Sequence, residues 1–164
     1  MGTITKSFMK IKLLVIGKTD EAYLTEGIGK FFKRITHYVN YEMEVIGDVK
    51  QGSKLNAEKL KEEEGKLILK KINSNDQVVL LDEKGHTFNS RQFSGFLQKK
   101  LNGGANLVFV VGGPFGFSKE VYERANEKIS LSSMTFSHQM IRLFFSEQLY
   151  RAFTILKGEK YHHD

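Results

Sequence analysis

The sequence predicts an α/β domain built on a mainly parallel sheet. Short β-like apolar runs alternate with amphipathic helical stretches along the chain, the order expected of a sheet crossed over by helices. The first run, IKLLVIG at 11–17, is apolar apart from Lys12, as in a strand covered on both faces. The 164 residues fit one compact domain, with 40% hydrophobic and 27% charged residues and a mean hydropathy of −0.33. That is an ordinary globular composition.

The elements follow in order. After the first strand a helix is expected over 22–34, and a second strand over 41–49, where apolar and polar residues alternate. Asn56 is placed to cap a second helix whose Leu60, Leu67, Ile68 and Ile72 share a face, with Glu62 and Lys66 paired at i,i+4. Its many charges read as a solvated face. QVVLL at 77–81 is a third strand, closed by the turn signal DEKG at 82–85. Ser90 opens a third helix with Phe93, Phe96, Leu97 and Leu101 on one stripe, stopped at Gly103 and Gly104. A fourth strand spans 106–111, Ser118 caps a short helix, and a brief strand at 129–131 precedes a last helix from Ser137 to about Leu156. Residues 1–8 precede a second methionine, Met9, and are read as an N-terminal extension to a single domain of residues 9–164.

That last helix carries an unusually wide apolar surface. Ile141, Phe144, Phe145, Leu149, Ala152, Phe153 and Leu156 make one stripe, and Met140, Leu143, Tyr150 and Ile155 widen it. Such a helix is either deeply buried or shared with a second subunit.

The formal net charge is +6 and the pI about 9.4, which favours either a polyanionic partner or a generally basic surface. There is no cysteine, so disulfides and thiolate chemistry are excluded. No apolar run approaches the roughly 18–20 residues of a membrane span. A cytoplasmic protein is expected.

Ligands in parallel α/β sheets collect at the carboxyl ends of strands. Three loops lie there, at 81–85, 112–118 and 131–136. The second, GGPFG, holds Gly112, Gly113, Gly116 and the only proline in the chain. Glycines there serve either a ligand approaching the main chain or the turn's own geometry. The loop is neither a P-loop nor a dinucleotide fingerprint, since no Lys-Ser or Lys-Thr follows at the required spacing and the glycines come late in the chain. The third loop, SLSSMTF, interleaves hydroxyls with apolar residues, which suits a flat heteroaromatic ring or a serine-rich turn before a helix. His138 is a titrating group or polar packing. The tail GEKYHHD places Tyr161, His162 and His163 after the long helix; no third ligand completes a metal site, and the tail is either a basic-aromatic contact for unpaired RNA or a frayed end.

Taken together, MKIKLLVIGK, KEEEGKLIL, VVLLDEKG, VFVVGGPFG, SLSSMTFSHQMIR and EQLYRAFTILKGEKYH, in this order from Met9 to His162, resemble the ribosomal RNA large-subunit methyltransferase H family of the SPOUT methyltransferases. The resemblance implies a SPOUT-type fold, a parallel-rich sheet flanked by helices with a C-terminal trefoil knot. It also implies a homodimer, S-adenosyl-L-methionine as methyl donor, and methylation of N3 of a pseudouridine in helix 69 of 23S rRNA on the assembled 70S ribosome. Carried over by position, the cofactor contacts are Leu81, Gly112, Leu131, Ser132, Ser133, Met134, Thr135 and Phe136, with Gly113 and Gly116 shaping the turn. His138, Arg142, Tyr161 and His162 are the candidates for proton removal or anion stabilisation at N3. The chain departs from the family at Ser137, often proline there, and at His163, often basic. Alternative functions are methylation of tRNA by the same fold and non-catalytic binding to the ribosome.

Overall fold

A computed structural model describes residues 9–163, so the expectation for 1–8 lies outside the described residues. Five strands, β1 (Lys10–Ile16), β2 (Asn40–Ile46), β3 (Gln77–Thr87), β4 (Leu107–Val111) and β5 (Glu127–Ser130), form one sheet in the order β2-β1-β4-β3-β5. Every pairing is parallel, as the alternating sequence predicts. Parallel neighbours need long crossovers. Helices α1 (Ala22–Ile35), α2 (Ala57–Lys70), α3 (Ser90–Gly103) and α4 (Lys119–Arg124) supply them, and α5 (Met140–Leu156) follows the last strand.

Helices α1, α3 and α5 cover one face of the sheet, α2 and α4 the other. Ile11, Leu13 and Val15 share the first core with Phe93, Phe109 and Phe145, while Leu14 and Ile16 share the second with Ile68 and Val121. Side chains alternate along a strand, so β1 is apolar from Leu13 to Ile16 because that stretch feeds two cores, while Lys10 and Lys12 near its start pair with Glu42 and Glu44 of β2. The same layering creates a crevice. From β1 the chain crosses to the α1 face and from its neighbour β4 to the α4 face, so the two carboxyl ends part, as at ligand sites of open α/β sheets.

Several local expectations change. The turn at 82–85 does not end β3: Leu81 and His86 both pair with Ile129, so these residues form a bulge and the ladder resumes at Thr87 opposite Ser130. Asp82 still organises the turn, its Oδ1 accepting from Lys84 N at 2.8 Å. Gly85 lies so close to β5 that a Cβ there would stand 2.6 Å from Ile129 N. α3 opens at Ser90 as expected, capped by Asn89 in a capping box with Gln92; Ser90 donates to Gln148 Oε1 on α5 at 2.8 Å. Lys66 pairs with Glu63 at 2.9 Å, not with Glu62. Asn56 and Ser118 cap α2 and α4 as expected. Ser137 Oγ accepts from Met140 N at 3.1 Å, and the regular turns of α5 begin at Met140.

The breadth of the apolar surface on α5 follows from its place, since α1 and α3 both pack against it. Phe145, Leu149, Ala152 and Phe153 are buried, and Ile141, Phe144, Tyr150 and Leu156 are half-buried. Among the described residues no helix is long and apolar enough to cross a membrane.

Candidate functional site

Register brings the three predicted loops to one place. Leu81 pairs with Val111 on β4 and with Ile129 on β5, so Leu81, at the start of the β3 bulge, stands beside the carboxyl ends of β4 and β5, just beyond which lie Gly112 and Leu131. A cavity of about 440 Å³ opens beside the third loop, lined by Leu131, Ser132 and Phe136 together with Phe88, Phe144 and Gln148, which the sequence did not mark as site residues, and by no residue of 81–85 or 112–118. Its size and mixed apolar and polar walls suit a small ligand with a ring system. The Phe136 and Phe144 ring centroids are 4.7 Å apart. Ser130 Oγ donates to Ser132 O at 2.7 Å, and Ser132 Oγ accepts from Met134 N at 2.9 Å, folding the third loop back on itself. Thr135 Oγ1 reaches Glu83 Oε2 in the β3 bulge at 3.2 Å. Ser133, Met134 and Thr135 are exposed, on the rim and not in the wall.

Internal causes account for each glycine of the second loop. A Cβ at Gly112 would stand 3.0 Å from the Phe117 ring, and one at Gly113 would overlap the Glu64 carboxylate. Gly116 has φ +84°, in the left-handed region that favours glycine. The turn therefore needs its glycines for its own packing, and the site gains its position. Glu64 corrects the reading of α2 as a solvated charged face: it is 4% exposed, and its Oε1 has no hydrogen-bond partner. Burial, and then the negative charge of Asp48, push its carboxyl up to about 6. The available signal was Gly65 beside it, a helix-interior glycine that lets the Ser118 hydroxyl of α4 sit where a Cβ would be.

The four residues considered for proton handling do not converge within one chain. Arg142 is fully buried. It donates to Ile16 O at 2.7 Å, to Gly17 O at 2.8 Å, to Thr19 Oγ1 at 3.1 Å and to His138 O at 3.2 Å, which ties α5 to the end of β1. His138 is half-buried beside it; burial and then the Arg142 charge lower its pKa. Tyr161 and His162 lie farther along α5. Tyr161 donates to Glu147 Oε1 at 3.2 Å and packs edge-on against Tyr150, while Arg151 Nη1 and His162 Nδ1 are 3.3 Å apart. His138 precedes α5, and the helix from Met140 to Glu147 alone rises about 10 Å at 1.5 Å per residue. Among the described residues no group of three or more His, Asp or Glu side chains is placed to hold a metal ion.

A family profile described as "Predicted SPOUT methyltransferase" matches residues 9–162. A protein of Parabacteroides distasonis named ribosomal RNA large subunit methyltransferase H is 59% identical over 157 residues, covering 95% of this chain and 100% of its own. One of the same name from Cytophaga hutchinsonii is 56% identical over 156 residues, covering 94% of this chain and 100% of its own. Among solved structures, a probable methyltransferase of Bordetella pertussis superposes with a TM-score of 0.56 at 11% identity, over 90% of this chain and 96% of that one. A putative methylase family protein of Neisseria gonorrhoeae gives 0.52 at 13% identity, over 92% and 85%. At such identities the likeness is one of fold.

Proposed function

The chain belongs to the SPOUT methyltransferases, in the ribosomal RNA large-subunit methyltransferase H family, and from that membership we propose that it methylates N3 of a pseudouridine in helix 69 of 23S rRNA on the assembled 70S ribosome. The observation that carries the reading is the meeting of the β3, β4 and β5 ends beside a cavity lined by Leu131, Ser132 and Phe136. S-adenosylmethionine supplies an activated sulfonium methyl, and the residues present fit it: a cavity with aromatic and hydroxyl walls for the adenosine, and main-chain groups near Leu81, Gly112 and Gly113. The rim residues Ser133, Met134 and Thr135 would close over it. The trefoil threading of the C-terminal segment belongs to the same proposal.

With an activated methyl group, the protein's tasks are alignment and disposal of the N3 proton. His138, with its lowered pKa, is neutral near pH 7 and able to accept a proton. Arg142 has its donors engaged by Ile16, Gly17, Thr19 and His138, so its proposed role is to position His138 and the end of β1. Tyr161 has its pKa raised by burial and by Glu147 and would donate a hydrogen bond to the acceptor base. Because Tyr161 and His162 lie alongside Glu147 and Arg151 of their own α5, the proposal requires a second copy to bring them to the first copy's His138. A homodimer through the α5 face meets that need. A ribosomal acceptor places the work in the cytoplasm and gives the net charge of +6 its partner.

The test is transfer of labelled methyl from S-adenosylmethionine to 70S ribosomes prepared without this modification, with free rRNA and tRNA in parallel. Label on 70S alone, mapped to N3 of a helix 69 pseudouridine, supports the reading. Label on tRNA alone, or none despite folded protein, overturns it.

A further inference from the structure

Glu64 has no part in the chemistry above, yet it is placed against the second loop of the site. Its carboxylate lies where a side chain at 113 would begin, and Oε1 would be 2.8 Å from a Cβ there. A buried ionised carboxylate without a partner is costly. Oε1 is such an acceptor, in a helix whose other acidic residues have water or lysine available.

The surroundings are acidic. Asp48, after β2, stands over the end of β1, its Oδ1 2.8 Å from where a Gly17 Cβ would be, and its charge acts on Glu64. Among the described residues neither carboxylate forms an ion pair. The Arg142 guanidinium lies nearby, with four of its five N–H donors on backbone oxygens and Thr19 and none on Glu64 or Asp48. From α4 only the Ser118 hydroxyl and the Val121 side chain face this part of α2. The crevice between β1 and β4 therefore carries a buried acceptor without a donor, Glu64 Oε1, beside two carboxylates, of which Asp48 feels the Arg142 charge and Glu64 feels that of Asp48. No third ligand completes a metal site among the described residues. An alkyl ammonium fits better, because it brings three donors and imposes no coordination geometry.

We propose that Glu64, with Asp48 at the outer edge, receives the α-ammonium of the methionine portion of S-adenosylmethionine. The proposal rests on the cofactor reading above and adds a second subsite to it. The cavity beside β5 takes the adenosine; β5 and β4 are two strand spacings apart, about 10 Å, a span suited to the ribose and the methionine chain. Gly113 lets the carboxylate lie directly against the second loop, since any side chain there would take the place of its oxygens.

The experiment measures calorimetric affinities of the full-length protein for three stable thioethers. S-adenosylhomocysteine carries ammonium and carboxylate, its decarboxylated aminopropyl analogue carries the ammonium alone, and methylthioadenosine carries neither. Glu64→Gln is expected to weaken the first two about tenfold or more and to leave methylthioadenosine within about twofold. Glu64→Asp and the exposed Asp48→Asn, whose folding is checked by circular dichroism, should give smaller losses with the same selectivity. Equal weakening of all three ligands by Glu64→Gln would show that Glu64 only shapes the turn, and unchanged affinities would place the ammonium elsewhere; either overturns the proposal. Wild-type protein that binds none of the three would overturn the cofactor reading itself, and this subsite with it.

Discussion

Replacing Arg142 with methionine separates a positioning role from direct contact with the reactants. Methionine keeps most of the length and apolar stem while removing the guanidinium. Two of the lost bonds, to Ile16 O at 2.7 Å and Gly17 O at 2.8 Å, lie in buried surroundings. Each charge-assisted bond is worth about 1.5–3 kcal/mol, and removing the buried cation returns part of that sum because its desolvation is no longer required. The net expectation is a loss of about 2–4 kcal/mol, or roughly 4–15 °C in Tm for a chain of this size. Calorimetric melts and urea titrations would be run at one fixed protein concentration, since association shifts apparent stability. A melt within about 2 °C of wild type together with abolished methyl transfer would refute the reasoning, because the guanidinium would then be acting on the reactants and not on the end of β1.

Other expectations follow from the same geometry. The Glu64 carboxyl, raised to about 6 from an ordinary 4.5, binds more protons folded than unfolded between those values, so stability should fall as pH rises through that window. Glu64→Gln should flatten the curve and stabilise the ligand-free protein at pH 7.5 by about 2 kcal/mol; parallel urea midpoints for the two proteins from pH 4 to 8 would contradict this. Gly85→Ala would drive a Cβ against the backbone of Ile129 and should cost roughly 3 kcal/mol, whereas an unchanged melt would mean that the β3–β5 contact yields easily. Deleting Tyr161 through Asp164 is expected to abolish transfer and spare S-adenosylhomocysteine binding; full activity, or loss of binding, would count against the tail's role.

The layered fold was legible because periodicity is local. LVFVV is apolar at every position and IKLLVIG at every one but Lys12, and only a strand between two helical layers has use for that. Asn56 and Ser118 could be read as caps because a cap acts within three residues. What could not be read depends on partners far along the chain. Arg142 sits on the amphipathic α5, and its burial requires the carbonyls of Ile16 and Gly17, more than a hundred residues away. The bulge at 82–85 looked like a strand end because its turn chemistry is real, with Asp82 accepting from Lys84 N; only Ile129 across the ladder shows that the strand resumes. Leu131, Ser132 and Phe136 were marked by their loop's place at a strand end and its interleaved hydroxyls, and assigned to a cofactor only by a resemblance, while Phe144 and Gln148 share their cavity through the packing of α5.

Two buried charges, on opposite faces of the sheet, mark the carboxyl ends of β1 and β4, and they differ in kind. Arg142 is a cation with four of its five N–H donors engaged, so its burial is compensated locally and its effect is structural. Glu64 is an anion with an idle acceptor, and its raised pKa means that the fold is less stable for its presence at neutral pH. Neither packing nor hydrogen bonding in the isolated chain favours Glu over Gln at that position. Residues that break the rules of polar satisfaction without local compensation are expected where a site is built for something outside the chain. That contrast, and not the acidity of α2, is why Glu64 belongs to ligand recognition and Arg142 to the scaffold.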